Sequence, residues 1–251
     1  MNVVTGLAVP EGIDALLFDL DGVLTRTALV HAAAWREMFD AFLHDRAERS
    51  GEPFAPFTDG DYAAHVDGRL RQDGVRTFLG SRGITLPEGR PDDGPDAETV
   101  HGLGNRKNRL LLEVLERDGV ERYEGSVTFV EAARDAGYRT AVVSASRNCR
   151  ALLEAAGIEG LFEVRVDGEV AAERGLPGKP APDTFLAAAD LLGIAPDRAA
   201  VIEDAIAGVE AGRAGGFGWV VGVDRVGQAD ALRVAGADVV VEDLAELMEA
   251  P

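Results

Sequence analysis

Short apolar runs of strand length alternate with amphipathic stretches along this chain, most regularly after residue 123. In the amphipathic stretches apolar residues return every three or four positions, which predicts helices, whereas the compact apolar runs predict buried strands. The predicted strands span residues 13–18, 139–144, 162–166, 199–203, 219–223 and 237–241. The predicted helices span residues 28–47, 105–118, 125–136, 148–156, 182–193, 205–214, 228–235 and 243–249. Short strands alternating with helices are typical of a parallel sheet that helices cover on both faces.

This alternation predicts an α/β fold, a doubly wound parallel sheet with a Rossmann-like core and one large insertion. The first strand belongs with the later ones, because alone it could not be buried. Residues 27–122 then form a mostly helical cap inserted after that strand, although residues 50–104 are rich in Gly, Pro and Asp and have weak periodicity. We therefore predict a core domain of residues 1–26 and 123–251, and a cap domain of residues 27–122.

Composition narrows the setting in which such a protein works. The 251 residues include 44 acidic and 25 basic side chains, and the net charge of -19 disfavours nucleic acid and anionic membranes as partners. Cys149 is the only cysteine, so no disulfide can form within the chain, and a reducing compartment fits. The N-terminal residues carry no basic segment, and no apolar run approaches membrane-spanning length. We expect a soluble, cytoplasmic monomer that binds neither nucleic acid nor membranes.

Two aspartates at the end of the first predicted strand are the first candidates for chemistry. Side chains alternate along an extended segment, so Asp19 and Asp21 project to the same side. Two carboxylates this close are costly unless a cation lies between them or one is protonated. The pair indicates a metal site, an acid–base pair, or both. The alternative is an ordinary strand exit in which Asp21 and Gly22 serve as turn residues.

Further polar residues lie where other predicted strands end. Ser144 closes the second predicted strand, and Glu203 and Asp204 close the fourth. Each has a simpler explanation when taken alone: the serine as a helix N-cap, and the acidic pair as first-turn residues that the helix dipole favours. Ligands of open parallel sheets bind at the carboxyl ends of the strands, where all these groups are expected to converge. Together they indicate a site for Mg²⁺ and a phosphate group.

Lysine occurs only twice among the 25 basic residues, at Lys107 and Lys179. Its ammonium is a compact charge with freely rotating donors, unlike the rigid fork of arginine. Lys179 lies in the segment GLPGKPAPD, whose glycines and prolines predict a tight, stiff loop. A buried ammonium in such a loop is suited to contact a phosphate or a carboxylate. The alternative is that both lysines are surface residues that remain by chance and have no functional role.

Four segments, in this order, resemble the signature motifs of the haloacid dehalogenase superfamily of phosphoryl-transfer enzymes. They are DLDGVLT at 19–25, the strand-end Ser144, the lysine of GKPAPD and the acidic pair of VIEDA, and they span the predicted core domain. The resemblance implies that Asp19 attacks phosphorus and forms an aspartyl phosphate, while Asp21 acts as general acid and base.

The same resemblance implies Mg²⁺ as the cofactor. Its ligands would be Asp19, the backbone carbonyl of Asp21, and the carboxylates of Glu203 and Asp204. Ser144 and Lys179 would hold the oxygens of the transferring phosphoryl group, so that charge building up on them is neutralised from several sides.

A closer resemblance, to the β-phosphoglucomutases of this superfamily, extends into the cap. A threonine, a histidine and a tryptophan follow the first motif at the family spacing, LRQDGV at 70–75 is similar to the family's cap loop, and RKN at 106–108 matches a cap triplet with a phosphate-binding lysine. SASRN at 144–148 is similar to the family's SASKN. The substrate-binding residues that this resemblance implies are Thr27, His31, Trp35, Gly68, Arg71, Lys107, Ala145, Ser146, Arg147 and Asn148.

The sequence departs from that pattern at a few positions. Arg26 replaces an aspartate beside the cap hinge, Arg147 replaces a lysine, and Ala205 replaces a serine after the acidic pair. Residues 80–104 form a longer stretch than the resemblance accounts for, in the domain that selects the substrate. These differences bear on the choice of sugar more than on the chemistry.

The resemblance implies conversion of β-glucose 1-phosphate to glucose 6-phosphate through the 1,6-bisphosphate, with a small phosphorylated sugar as the partner. Two alternatives stay open at this point. In the first alternative the chain is a phosphatase of sugar phosphates or other small metabolites, which is the commonest activity on this core. In the second it is a binding protein that keeps the fold without catalysis.

Overall fold

The computed structural model describes residues 6–51 and 53–248, and a six-stranded parallel sheet organises them. The strand order is β3-β2-β1-β4-β5-β6. The strands are β1 (Ala15–Phe18), β2 (Arg139–Val143), β3 (Val164–Val166), β4 (Ala199–Glu203), β5 (Trp219–Val223) and β6 (Val239–Val241). The predicted doubly wound α/β fold is thereby confirmed.

Helices account for most of the remaining described chain. They are α1 (Ala28–Ser50), α2 (Asp59–His65), α3 (Arg71–Ser81), α4 (Val100–Asp118), α5 (Glu124–Asp135), α6 (Cys149–Ala155), α7 (Gly168–Arg174), α8 (Asp183–Leu192), α9 (Ile206–Ala214) and α10 (Ala229–Ala235). Short 3₁₀ turns occupy Glu159–Leu161, Pro196–Arg198 and Leu244–Leu247. No helix in the described ranges is both long enough and apolar enough to cross a membrane.

The chain divides into two compact units, Met1–Arg26 with Val120–Pro251 and Thr27–Gly119. We call them the core unit and the cap unit. The second division follows residue 119, whereas the sequence placed it after residue 122. Residues 1–5 and 249–251 of the predicted core domain, and residue 52 of the predicted cap, lie outside the described residues.

The sheet is the centre of the core unit, and its central strands are buried on both faces. Leu17 of β1 packs in one apolar cluster with Phe185 of α8 and Val209 of α9. The next residue, Phe18, faces the other way, and its ring meets that of Phe129 from α5 at 6.3 Å. Because both faces are covered, the central strands are continuous apolar runs rather than alternating ones.

The cap unit is held together by aromatic side chains from its helices. Trp35 and Phe39 of α1 stack with ring centres 5.2 Å apart, and Phe39 contacts Phe78 of α3 at 4.3 Å. Phe57, which precedes α2, meets Phe78 edge to face at 4.8 Å. Aromatic rings supply large buried areas, so these four side chains contribute much of the apolar cluster that joins the helices of the cap unit.

The stretch at 80–104 consists of the last residues of α3, a loop held by hydrogen bonds, and the first turn of α4. The carboxylate of Asp93 accepts hydrogen bonds from the Arg90 amide at 3.1 Å and the Thr99 hydroxyl at 2.7 Å. Thr99 in turn caps α4 by accepting from the Gly102 amide at 2.9 Å, and Asn105 donates to the carbonyl of Asp93. This cap is why α4 begins at Val100, five residues before the predicted start at 105.

Three helices carry no sequence pattern that predicted them, and some predicted bounds were wrong. α2 and α7 have only seven residues each, and the apolar residues of α3, Val75, Phe78 and Leu79, are flanked by two glycines, so none of the three shows a long apolar stripe. The first, third and sixth strands each begin two residues later than predicted. The last predicted helix, 243–249, is the 3₁₀ turn Leu244–Leu247, and residue 249 lies outside the described residues.

Candidate active site

The candidate site lies at the carboxyl ends of the central strands, where the strand order changes direction. β1 stands between β2 and β4, so the chain leaves the sheet on opposite sides there and opens a crevice. Asp19 directly follows β1, and its amide donates to the carbonyl of Ile202 at 2.9 Å. Ser144 follows β2, and Glu203 is the last residue of β4. The structure therefore brings the predicted strand-end residues of the core unit to one edge of the sheet.

Lys179 is the centre of this group. Its Nζ donates to Oδ1 of Asp19 and to Oε1 of Glu203, both at 2.5 Å, and to the carbonyl of Val143 at 3.3 Å. The ammonium also lies 4.8 Å from the centre of the Phe185 ring. The residue is only 3% exposed, so these bonds form away from water, where they are stronger. One lysine thus joins the ends of three neighbouring strands.

Two glycines allow the carboxylates to approach closely. A Cβ on Gly208 would overlap with the carboxylate of Glu203, whose Oε2 accepts from the Ala205 amide at 2.8 Å. A Cβ on Gly22 would overlap with the carboxylate of Asp204, and Gly22 also has a φ of +91°, which other residues rarely adopt. The acidic side chains are therefore packed against bare backbone.

The electrostatics of the site favour an additional positive charge. Burial raises the pKa of Asp19 well above its ordinary value; Lys179 lowers it in part, and Glu203 and Asp21 raise it further. Burial lowers the pKa of Lys179, but the carboxylates of Asp19 and Glu203 outweigh burial and raise it above its ordinary value. Lys179 is bonded to two of these carboxylates, and a bound cation would further reduce the repulsion among the acidic groups.

Three of these carboxylates can hold a metal ion together. Asp19, Glu203 and Asp204 are buried, and one oxygen from each lies within 4.8 Å of the others. Buried oxygen ligands with this charge fit a hard divalent cation. The other group of this kind in the described chain, His44, Asp45 and Glu48, is exposed on α1. Burial and charge distinguish the first group as the candidate metal site.

The loop after β2 is organised by its own hydroxyl groups. Oγ of Ser144 accepts from the Ser146 amide, and Oγ of Ser146 accepts from the Asn148 amide, each at 3.1 Å. Asn148 occupies the N-cap position of α6 but makes no side-chain capping bond. The hydroxyls therefore shape the loop rather than cap the helix. Ala145 and the exposed Arg147 complete the predicted segment.

The predicted cap residues gather in two places within the cap unit. Nζ of Lys107 lies 3.0 Å from Nδ1 of His31 and 5.1 Å from the centre of the Trp35 ring. Nη2 of Arg71, the first residue of α3, donates to Oδ1 of Asn108 at 2.7 Å. Lys107 and Asn108 are neighbours on α4, so one helix supports both groups.

The other two predicted cap residues are parts of the backbone framework, and Trp35 has a structural role as well. Thr27 is buried and its carbonyl accepts from the His31 amide at the start of α1. Gly68, with a φ of +69°, lies in the turn between α2 and α3. Trp35 is 4% exposed and belongs to the aromatic core of the cap unit, which accounts for a tryptophan there independently of any substrate.

Comparison with known proteins assigns the chain to a family. The profile described as hydrolase, haloacid dehalogenase-like hydrolase, matches residues 13–216. The chain belongs to the haloacid dehalogenase-like hydrolase family. The resemblance in the four sequence motifs is thereby confirmed, and the chain is an enzyme of this family. Its phosphomutases and phosphatases are generally metal-dependent, which agrees with the buried carboxylate group.

Relatives in this family cover nearly the whole chain. Proteins named β-phosphoglucomutase from Mycobacterium bovis and Mycobacterium tuberculosis are each 55% identical over 246 residues, which is 96% of this chain and 94% of theirs. The crystal structure of β-phosphoglucomutase from Clostridium difficile has a TM-score of 0.73 and 25% identity, covering 94% of this chain and 93% of that one. The resemblance to the β-phosphoglucomutases therefore extends beyond the motifs to the full length.

Sequence reasoning missed several residues that shape this haloacid dehalogenase-like site. Gly208 gives no signal of its own, because only the folded chain shows what its missing side chain would meet. Asn108 stood inside the RKN triplet but was not selected as a site residue. Arg225 and Gln228, which bond to the backbone of the acidic segments, follow β5. The strand-end rule that found Asp19 could have found Arg225 as well, because it lies two residues beyond Val223.

Proposed function

We propose that this enzyme is a β-phosphoglucomutase, converting β-glucose 1-phosphate to glucose 6-phosphate through the 1,6-bisphosphate. The observation that carries the proposal is the 55% identity with proteins of that name over almost the full length of both chains. The buried group of Asp19, Lys179 and Glu203 supports phosphoryl transfer as the reaction type, since it joins a candidate nucleophile to a cation suited to phosphate oxygens.

In the proposed mechanism Asp19 is the nucleophile. Its carboxylate attacks phosphorus in line with the leaving sugar oxygen and becomes an aspartyl phosphate, which splits one difficult transfer into two steps. Lys179 is already placed against Oδ1 of Asp19 and can stabilise charge on the transferring group. Ser144 is proposed to donate to the same group from the neighbouring strand end.

Asp21 is proposed as the general acid and base. It protonates the departing sugar oxygen in the first step and accepts a proton from the attacking sugar hydroxyl in the second. Asp21 lies two residues after Asp19 and close enough for its charge to raise the pKa of Asp19, so both carboxylates can act on one substrate group.

Mg²⁺ is the metal that we propose for the buried carboxylates. Asp19, Glu203, Asp204 and the backbone carbonyl of Asp21 would hold it, a set of oxygen ligands that leaves room for substrate phosphate and water. When bound, it supplies neutralising charge for the phosphate oxygens. Glu203 has a second task, because its Oε1 also holds Lys179 in place.

The cap unit is proposed to recognise the sugar and its second phosphate. Arg71 and Lys107 supply positive charge for the phosphate that is not transferred, and His31 orients the acceptor hydroxyl. In the core unit, Ala145, Ser146, Arg147 and Asn148 are proposed to bind the substrate through backbone and side-chain donors. Thr27, Trp35 and Gly68 are proposed to shape the sugar site.

Phosphorus NMR can test the proposed reaction directly. The protein is incubated with Mg²⁺, β-glucose 1-phosphate and a trace of the 1,6-bisphosphate, and the α-anomer serves as the control substrate. We expect glucose 6-phosphate as the main product from the β-anomer only. Free phosphate as the main product would show that the enzyme is a phosphatase and not a mutase. The absence of turnover would contradict both proposed functions.

The metal requirement has its own test. Excess chelator should abolish turnover and added Mg²⁺ should restore it, because Asp19, Glu203 and Asp204 form a site with an excess of negative charge. The double variant Glu203→Ala, Asp204→Ala should not be restored. A matched control is Asp45→Ala with Glu48→Ala in the exposed acidic group on α1, which should behave like wild type. Full activity in excess chelator would contradict the proposed site.

A phosphatase is the second candidate, because the matching family is described as hydrolases. An aspartyl phosphate is open to attack by water, so the same core residues would serve hydrolysis unless a sugar hydroxyl reaches the phosphoryl group first. The ratio of glucose 6-phosphate to inorganic phosphate in the NMR experiment separates the two functions.

A further inference from the structure

The loop between β5 and α10, residues 224–228, is folded around one carboxylate. Asp224 follows β5 directly and accepts four backbone hydrogen bonds through its two side-chain oxygens, at distances of 2.7 to 3.2 Å. The donors are the amides of Val226, Gly227, Gln228 and Ala229. An acceptor shared by four consecutive amides fixes the backbone of the loop, and with it the directions of the side chains that the loop carries.

Arg225 reaches from this loop to the segment that carries Asp21. Its Nε donates to the carbonyl of Gly22 at 2.8 Å, and Nη2 lies 3.5 Å from the carbonyl of Val23. The guanidinium lies 3.6 Å from the centre of the Tyr123 ring, and Nη1 donates to the carbonyl of Glu242. Its side chain is 13% exposed, so Arg225 is a fixed anchor rather than a mobile surface charge.

Gln228 reaches from the same loop to the other acidic segment. Its Nε2 donates to the carbonyl of Asp204 at 3.0 Å. The two anchored segments also touch each other, because Gly22 packs against the carboxylate of Asp204 so closely that a Cβ has no room. A single loop therefore holds the backbone beside the proposed general acid and the backbone of a proposed metal ligand.

The geometry points to residues 224–228 as a positioning loop for phosphoryl transfer. Arg225 fixes the backbone that directs Asp21, and Gln228 fixes the backbone that directs Asp204. Arg225 and Gln228 do not contact the reacting atoms themselves and act through the backbone segments that they hold. Asp224 fixes the loop backbone from which both side chains extend. This inference rests on the proposed function, in which Asp21 handles protons and Asp204 binds the metal. Small displacements of such groups are costly to turnover.

The role of Arg225 is tested by comparing two leaving groups. A sugar oxygen needs a proton from Asp21 to depart, whereas p-nitrophenolate departs without one. We expect Arg225→Ala to lower kcat with β-glucose 1-phosphate about thirtyfold, and with p-nitrophenyl phosphate less than about threefold. Arg225→Lys, which keeps a charge but has fewer donors, should lie between Arg225→Ala and wild type. Equal losses on both substrates would overturn the role of Arg225.

The role of Gln228 is tested without turnover. Mn²⁺ serves as the probe, and its binding to the substrate-free protein is measured by electron paramagnetic resonance. We expect Gln228→Ala to weaken Mn²⁺ binding about tenfold, the scale typical of losing a group that orients a metal ligand. Arg225→Ala should change Mn²⁺ binding much less. Unchanged Mn²⁺ affinity in Gln228→Ala would overturn its role.

Arg213→Ala is the matched control for general loss of structure. Arg213 donates to the carbonyl of Gly236 at 3.0 and 2.6 Å and to Asp238 at 2.6 Å, so it also ties a loop to the sheet. None of these bonds reaches the acidic segments. We expect a lower Tm for this variant with unchanged leaving-group dependence and Mn²⁺ affinity. A wild type that turns over neither substrate would contradict the proposed function instead, and the Mn²⁺ titration would then decide the role of the loop.

Discussion

The two lysines of this chain, one in each unit, are equally buried but have different neighbours. Each is 3% exposed. In the core unit Lys179 is bonded to two carboxylates, those of Asp19 and Glu203, at 2.5 Å. In the cap unit Lys107 lies beside the His31 ring nitrogen at 3.0 Å and the Trp35 ring at 5.1 Å.

This difference separates two uses of a buried cation. A lysine between carboxylates is part of the charge balance of its site, and removing it leaves buried negative charges without compensation. Within the cap unit the His31 imidazole and the Trp35 indole orient the Lys107 ammonium, which suits its proposed role in binding an anionic ligand. The core unit is therefore built for the transferring group, and the cap unit for recognition, within the proposed function.

The largest effect is expected from Asp19→Asn, which removes the carboxylate that Lys179 contacts. An amide is not a competent nucleophile, so turnover should fall by about 10⁴-fold or more with both β-glucose 1-phosphate and p-nitrophenyl phosphate. Steady-state kinetics with both substrates measure the loss. Asp14→Asn, at a partly exposed position just before β1, is the control and should keep wild-type rates. Near wild-type turnover in Asp19→Asn would refute the nucleophile assignment.

The lysine comparison itself is tested by two alanine variants. Lys179→Ala should lower formation of the aspartyl phosphate about a thousandfold with any substrate, because its target is the transferring group. Lys107→Ala should cost about a hundredfold with the sugar phosphate and little with p-nitrophenyl phosphate, which has no second group for the cap to bind. Single-turnover kinetics measure both. Equal losses of rate with p-nitrophenyl phosphate in the two variants would contradict the different roles proposed for the two lysines.

Arg71 and Asn108 sharpen the role of the cap unit. Arg71→Ala should lower the mutase rate about a hundredfold, equivalent to about 3 kcal/mol, while hydrolysis of the phosphoenzyme changes far less. Asn108→Ala, which removes the acceptor that holds the Arg71 guanidinium, should cost about tenfold. The measured quantity is the ratio of glucose 6-phosphate to inorganic phosphate. Arg76→Ala, on the same helix, is the control; a product ratio indifferent to Arg71 would favour the phosphatase.

The smallest effect is expected for an exposed ion pair of the cap unit. Arg76 bonds to Glu88 and Asp73 with its side chain 44% exposed, so Arg76→Gln should change the free energy of unfolding by less than about 1 kcal/mol. Lys179→Ala, which breaks a buried group, should cost about 3 to 5 kcal/mol. Urea unfolding measures the loss of unfolding free energy in both variants. Similar losses would show that burial does not determine how much each ion pair contributes to stability.

The same pair has a defined pH dependence. Its hydrogen bonds from Arg76 hold the pKa of Glu88 below the ordinary value. The stability that this pair contributes is therefore present above about pH 4.3, the ordinary value, and is lost as the pH falls through the lowered pKa. The small difference between wild type and Arg76→Gln should disappear there. A difference that persists in acid would contradict the assignment to this pair.

The sheet and the identity of the acidic residues could be predicted from the sequence by itself. β4 and β5 have the predicted bounds, because strands buried on both faces must be continuous apolar runs. Asp19, Glu203 and Asp204 were recognised because parallel strands end at one edge of the sheet, and a polar residue that ends an apolar run must lie there. The scarcity of lysine drew attention to Lys107 and Lys179, and the flanking glycines and prolines of Lys179 and the family resemblance around Lys107 made them site candidates.

Only the tertiary structure decided which of these groups touch and what holds them. α2 and α7 are short and begin at side-chain caps, and α3 packs through a brief apolar set between two glycines, so none of them offers a long apolar pattern to read. The bond from Arg225 to Gly22 joins residues 203 positions apart, and Lys179 reaches Asp19 across 160. The periodicity of apolar residues in a segment indicates which of its side chains face water and which face the core. Which distant groups come within hydrogen-bonding distance depends on how the whole chain packs, which no local pattern contains.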